Sequence, residues 1–323
     1  MKPFKTHNVQ LKILRDRGLE VPPRAKRDLE NENYYNIING YKDLFLECDD
    51  NSIPVEPERY IKGSHFNEIF ALYKLDRRLR NTLLEYLLVF EAHIKSRISY
   101  FFSKKFPEPH SYLYFKNYSN DPRKTDNIVK TVASLSNTMS NRNNKPLKHY
   151  MNKHNGVPLW ILVNYLTIGN INYMYKNLDD DLRKEIALDY KDKIKRDYKI
   201  VLDITPKDLD GILQQVNLFR NVCAHEERLY DYEIKKPKSL LNNYNNFKKL
   251  TINTDNLIMP INKSKLFDLL ICLKMFLNKN DYKKLINNLE KTLDHYESDF
   301  VTASKNEIYE KMGCQTPNLH ILK

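Results

Sequence analysis

Apolar residues recur along most of this chain at intervals of three and four, the spacing that places them on one face of a helix. The longest such run lies between Phe66 and Phe106, with Ile69, Leu72, Leu79, Leu83, Leu87, Ile94, Ile98 and Phe102 in register. It exceeds an ordinary helix, and Asp76, Arg77, Arg78 and Arg80 crowd one point of it. A break at an exposed or contact-forming turn is therefore expected near 75–78. A second strong pattern runs through Leu209, Ile212, Leu213, Val216, Phe219 and Cys223. Thr205 marks its start as N-cap, with Pro206 at the first helical position, where no backbone donor is needed. Shorter helical signals cover 7–18, 24–47 with a bend near Asn39-Gly40, 128–139, 158–175, 264–278 and 280–297. Residues 179–199 read as a charged, amphipathic pair of turns. Pro54, Pro57 and Gly63 make 49–64 irregular. The aromatic and basic stretch 107–125 has the residue types that stack bases and bind a nucleic-acid backbone, but with no spacing rule met it reads rather as a tyrosine-rich loop packed on the core, and Trp160 as a core residue. Residues 235–246 resemble a linker, and 312–317 a docked tail. Hairpin signals are nearly absent, so the fold class is all-α.

Composition narrows the function. A length of 323 residues can bury one large core or two smaller ones. A net charge of +12 favours an anionic partner such as nucleic acid, although an ordinary basic surface would give the same number. No apolar run reaches membrane-spanning length, and the N-terminus lacks the apolar core of a signal peptide. A cytoplasmic location with no membrane partner is expected. Cys48, Cys223, Cys272 and Cys314 are scattered without metal-ligand spacing, so they read as reduced thiols. No metal and no cofactor is expected.

The candidate chemistry is an arginine and a histidine in close sequence. Three pairs have four to six residues between them: Arg59 and His65, Arg142 and His149, Arg220 and His225. Composition alone should produce about one such match. The first spans a Pro/Gly loop. The second contains Pro146, which breaks any helix between its partners. Only Arg220 and His225 sit on a strong helical pattern. Asn221 and His225 are four apart and share a face, Arg228 would extend that stripe by a turn, and Arg220 flanks it. Histidine moves protons near neutral pH. Arginine grips phosphate oxygens with two parallel donors and stabilises charge that grows on them. Asn221 would orient the histidine or the phosphate. Arg142, Lys145, Lys148 and His149, with Lys153-His154 behind them, form a dense cationic segment suited to an RNA backbone.

The run Arg220-Asn221-x-x-Ala224-His225 resembles the signature of HEPN ribonucleases, in the form carried by Abi-like abortive-infection proteins of the AbiD/AbiF type. Further stretches resemble that family in its order. They are Lys2-Pro3-Phe4 with Arg17-Gly18-Leu19, Tyr34-Tyr35 with Asn39-Gly40-Tyr41, the segment around His149-Tyr150, and Pro158-Leu159-Trp160 running to Gly169. The resemblance covers about residues 1–235. It implies a HEPN-type helical bundle at 61–240, with an N-terminal helical segment at 1–60 and a C-terminal extension at 241–323. It implies a metal-independent endoribonuclease acting as a toxin in phage defence, with Arg220, Asn221 and His225 catalytic. Arg142, Lys145, Lys148, His149 and Arg228 would bind RNA. Glu91 and Arg97 match family positions that face the signature helix. A homodimer pairing two motifs is implied, as is a possible small non-coding RNA partner. A non-cleaving RNA-binding protein and a purely structural helical protein are the alternatives.

Overall fold

A computed structural model describes residues 3–141, 144–154, 156–235, 248–250, 265–314 and 319–322. Among these the ordered elements are helices: α1 His7–Asp16, α2 Ala25–Glu32, α3 Phe66–Lys105, α4 Thr125–Met139, α5 Lys145–His154 and α6 Leu159–Leu162. They continue with α7 Ile168–Asn177, α8 Asp180–Tyr198, α9 Pro206–Ala224, α10 Leu266–Phe276, α11 Lys279–Glu297 and α12 Lys305–Lys311. Extended segments among the described residues form only isolated bridges, such as Leu46 with Tyr60. The fold is all-α.

The chain divides into two units. One gathers Met1–Leu83, Val222–Tyr232 and Leu285–His320; the other gathers Leu84–Asn221, Glu233–Lys284 and Ile321–Lys323. Helices α3 and α9 each contribute residues to both.

In the first unit, α3 contradicts the expected break. It is a single helix of 40 residues, continuous through 75–78. The charges that suggested a turn point inward instead. Asp76 is fully buried and Arg80 is 3 % exposed, one helical turn apart, so each neutralises the other. Tyr41 donates its hydroxyl to Asp76 Oδ2 at 2.7 Å, and the backbone N–H groups of Leu229 and Tyr230 donate to the same carboxylate at 3.0 and 2.7 Å. Burial pushes the Asp76 carboxyl up, while Arg80 and these donors pull it down. Glu68, also buried, accepts from the N–H groups of Val301 and Thr302 at 2.6 and 2.7 Å. Chain segments far apart in sequence are thus tied to α3 through carboxylates.

In the second unit, helix starts are written in side-chain caps. Thr205 and Asp208 form the reciprocal cap of α9: Thr205 Oγ1 accepts from Asp208 N–H at 3.2 Å, and Asp208 Oδ2 accepts from Thr205 N–H at 2.9 Å. The same device at Thr167 and Asn170 starts α7 afresh, so the single helix expected over 158–175 is split into α6 and α7. Residues 179–199 form one helix of 19 residues rather than a pair of turns, capped by Asp179 and ended by Lys199 in the left-handed region. Every residue of α10 is buried, Phe276 packing against Phe90 and Tyr190. Trp160, expected in the core, is 57 % exposed, because α6 turns Leu159 and Leu162 inward and Trp160 lies off that face. The 107–125 loop anchors through buried Tyr112 and Tyr118 but leaves Tyr114 and Phe115 exposed.

Candidate functional site

Helix α9 buries Leu209, Ile212, Leu213, Val216 and Phe219, which leaves its polar stripe at the C-terminal end. The helix stops at Ala224. Glu226 takes a φ of 56°, and Glu227 N–H donates back to the Val222 carbonyl at 3.0 Å, a six-residue closure that reverses the chain. His225 therefore caps the helix, one turn past Asn221, and is exposed. Arg228 lies beyond the reversal and does not extend the stripe, contrary to expectation.

Arg228 is instead enclosed by partners of its own unit. Its Nη1 donates to the Gly40 carbonyl and to Asp43 Oδ2 at 3.0 Å, and its Nε lies 2.8 Å from Asp231 Oδ1. Burial lowers its pKa, but Asp231, Tyr230 and Asp43 outweigh that and raise it. Such a guanidinium holds chain segments together and has little left for a ligand.

Arg220 is the opposite case. Its side chain is 32 % exposed, and its Nε stands 3.7 Å from Glu91 Oε2, an ion pair beyond hydrogen-bond reach. Both atoms are buried and lack a hydrogen-bond partner. Glu91 is already held on its other oxygen by Lys95 Nζ at 2.7 Å. The Arg220, Asn221 and His225 side chains make no hydrogen bond to any described residue. Glu91 is thus beside the signature helix, as its family position implies. Arg97 pairs with Asp189 on α8 at 2.9 Å. Lys95 escaped the sequence reading, although Glu-x-x-x-Lys on one helix face is a readable pair.

Cys223 lies inside the signature and is buried. Burial pushes its thiol up to about 12, with Asp76 adding to the shift. In the pair Arg59 and His65, His65 Nδ1 is taken up by the Asn67 N–H at 3.0 Å. Arg142 lies outside the described residues. Its neighbours are exposed on α5: Lys145, Lys148 and His149. Asn144 caps this helix through Leu147 N–H at 3.3 Å, and Pro146 sits in the first turn, where it begins the helix. Among the described residues no group of three or more His, Cys, Asp or Glu could hold a metal ion, and no helix is long and apolar enough to cross a membrane.

A family model described as "Abi-like protein" matches residues 27–231, which includes α9, its cap, α5 and Glu91. The chain belongs to the Abi-like protein family. Neither curated proteins nor solved structures yield a match. The Abi-like region ends at Asp231, the partner of Arg228, so α10 to α12 lie outside it.

Proposed function

We propose that this Abi-like protein is a metal-independent endoribonuclease of an abortive-infection system, built on a HEPN-type bundle, with Arg220, Asn221 and His225 as its catalytic residues. One observation carries the reading. These three polar side chains, close together at one helix end, make no hydrogen bond to a described residue, and the histidine is exposed. Buried polar atoms are normally satisfied by the fold, whereas Arg220 Nε and Glu91 Oε2 beside these groups are not.

His225 takes the proton of a ribose 2′-hydroxyl. The 2′-oxygen forms a bond to the adjacent phosphorus while the bond from phosphorus to the 5′-oxygen breaks. That oxygen leaves as a hydroxyl after protonation, and a 2′,3′-cyclic phosphate remains. Arg220 holds the non-bridging oxygens as their charge grows, with Glu91 beside it setting the guanidinium's position. A single histidine does not serve both faces of phosphorus at once, so a second copy of the motif comes from a second chain in a homodimer. Light scattering on nucleic-acid-free protein should report a dimer; a fully active monomer contradicts it.

The test is incubation of purified protein with RNA, with and without EDTA. Cleavage that survives EDTA and leaves cyclic phosphate ends is expected. The exposed cations of α5 favour one other reading, an RNA-binding protein that does not cleave, and intact but tightly bound RNA would select it.

A further inference from the structure

The second unit holds a cleft of about 460 Å³, bordered by the 106–112 turns, the end of α5 and the start of α6. Its size falls within that of small-molecule sites, roughly 300–1,000 Å³. The floor is fixed by hydrogen bonds. The buried Tyr112 donates its hydroxyl to the Val157 carbonyl at 2.7 Å, and the Tyr118 hydroxyl donates to the Tyr112 carbonyl at 2.6 Å. One wall is His110, held in the left-handed region at φ 56°. Gly156 permits the approach of that ring, since a Cβ there would stand 2.2 Å from His110 Nε2. This Nε2 is buried and has no hydrogen-bond partner.

The rim is aromatic and cationic. Trp160 is 57 % exposed beside the cleft. Tyr150 and His154 line it from α5, with ring centroids 5.3 Å apart. On the same helix Lys153, next to His154, is exposed. Flat aromatic surfaces next to a mobile ammonium group match a ligand that is planar at one end and anionic at the other.

We propose that this cleft binds a nucleotide, with the base stacked on Trp160 and the phosphate on Lys153. The nucleotide is either free or one unstacked residue of a single-stranded RNA. The second source rests on the reading that this protein handles RNA, but neither requires cleavage at His225.

The chain has one tryptophan, so its emission reports this cleft alone. Full-length protein at low salt is titrated with AMP, and separately with a dye-labelled single-stranded oligoadenylate whose anisotropy is followed in parallel. A saturable change in tryptophan emission is expected with the oligonucleotide and is retained in His225→Ala. Trp160→Ala should weaken oligonucleotide binding roughly 5- to 100-fold, with Trp160→Phe keeping most of it. Gly156→Ala should also weaken it, by displacing His110. Saturation by AMP as well identifies a free nucleotide as a ligand. Oligonucleotide binding with unchanged emission and unchanged affinity in Trp160→Ala overturns the cleft assignment and leaves the RNA reading standing. No binding of either probe overturns both.

Discussion

Helix α3 carries two carboxylates into charged clusters, and the two are completed in opposite ways. Asp76 receives a tyrosine hydroxyl, two backbone N–H groups and the Arg80 guanidinium, so both of its oxygens are occupied. Glu91 receives Lys95 on one oxygen and leaves the other 3.7 Å from Arg220. The first cluster is closed and fastens Leu229 and Tyr230, just past the signature, to α3. The second is open and leaves a guanidinium with unused donors. A buried, fully satisfied charge network specifies a fold. A partly satisfied one beside exposed polar groups is what a functional site requires, since its donors stay free until a ligand arrives.

Breaking the closed cluster should have the largest effect. Asp76→Ala strands Arg80 in the interior together with a tyrosine hydroxyl and two N–H groups. Removing one partner of a buried pair costs about 3–5 kcal/mol. Urea denaturation should show that loss, and a change under about 1 kcal/mol would mean that water replaces the carboxylate. In the open cluster the effect should move from stability to activity. Arg220→Lys keeps the charge but loses the two-pronged donor, and cleavage should fall about 10²–10³-fold with folding intact. Wild-type turnover would make Arg220 a structural residue.

The contrast was only partly legible in the sequence. Periodicity identified the helical class, and Thr205-Pro206 marked the start of α9. The 75–78 region was misread because Asp76 and Arg80 look like surface charges until Tyr41, Leu229 and Tyr230 are brought to them. Those partners lie 35 to 154 residues away, and no local pattern encodes them. The end of α9 was hidden for a related reason: Glu226, not glycine, takes the left-handed position. Arg228 consequently looked like a continuation of the polar stripe. Glu91 was found through family resemblance rather than chemistry, whereas Lys95 was available from spacing alone. Trp160 misled because a large aromatic residue is usually core, whereas α6 buries its Leu159 and Leu162 instead.

Arg228 and Arg220 sharpen the comparison further. Arg228→Ala should cost about 1 kcal/mol of stability, since the pairs it loses are partly exposed, and should leave cleavage within a few-fold of wild type. A large loss of activity without a loss of stability would return Arg228 to the RNA-binding set. The smallest effect belongs to α5. Replacing Lys145 and Lys148 by Gln should flatten the dependence of log affinity on log salt by about 1.4 if each holds one phosphate of a single strand. An unchanged slope would place the RNA backbone elsewhere.

The claim on which these expectations turn is that His225 moves a proton in RNA cleavage. The direct measurement compares wild type and His225→Ala on the same RNA in EDTA, with helical content and melting temperature recorded for both. His225 is exposed and makes no hydrogen bond to a described residue, so its removal should shift the melting point by no more than about 2 °C. Wild type should release 2′,3′-cyclic phosphate ends, and the variant should be slower by about 10²–10⁴-fold. A folded His225→Ala protein that cleaves at the wild-type rate would contradict the account.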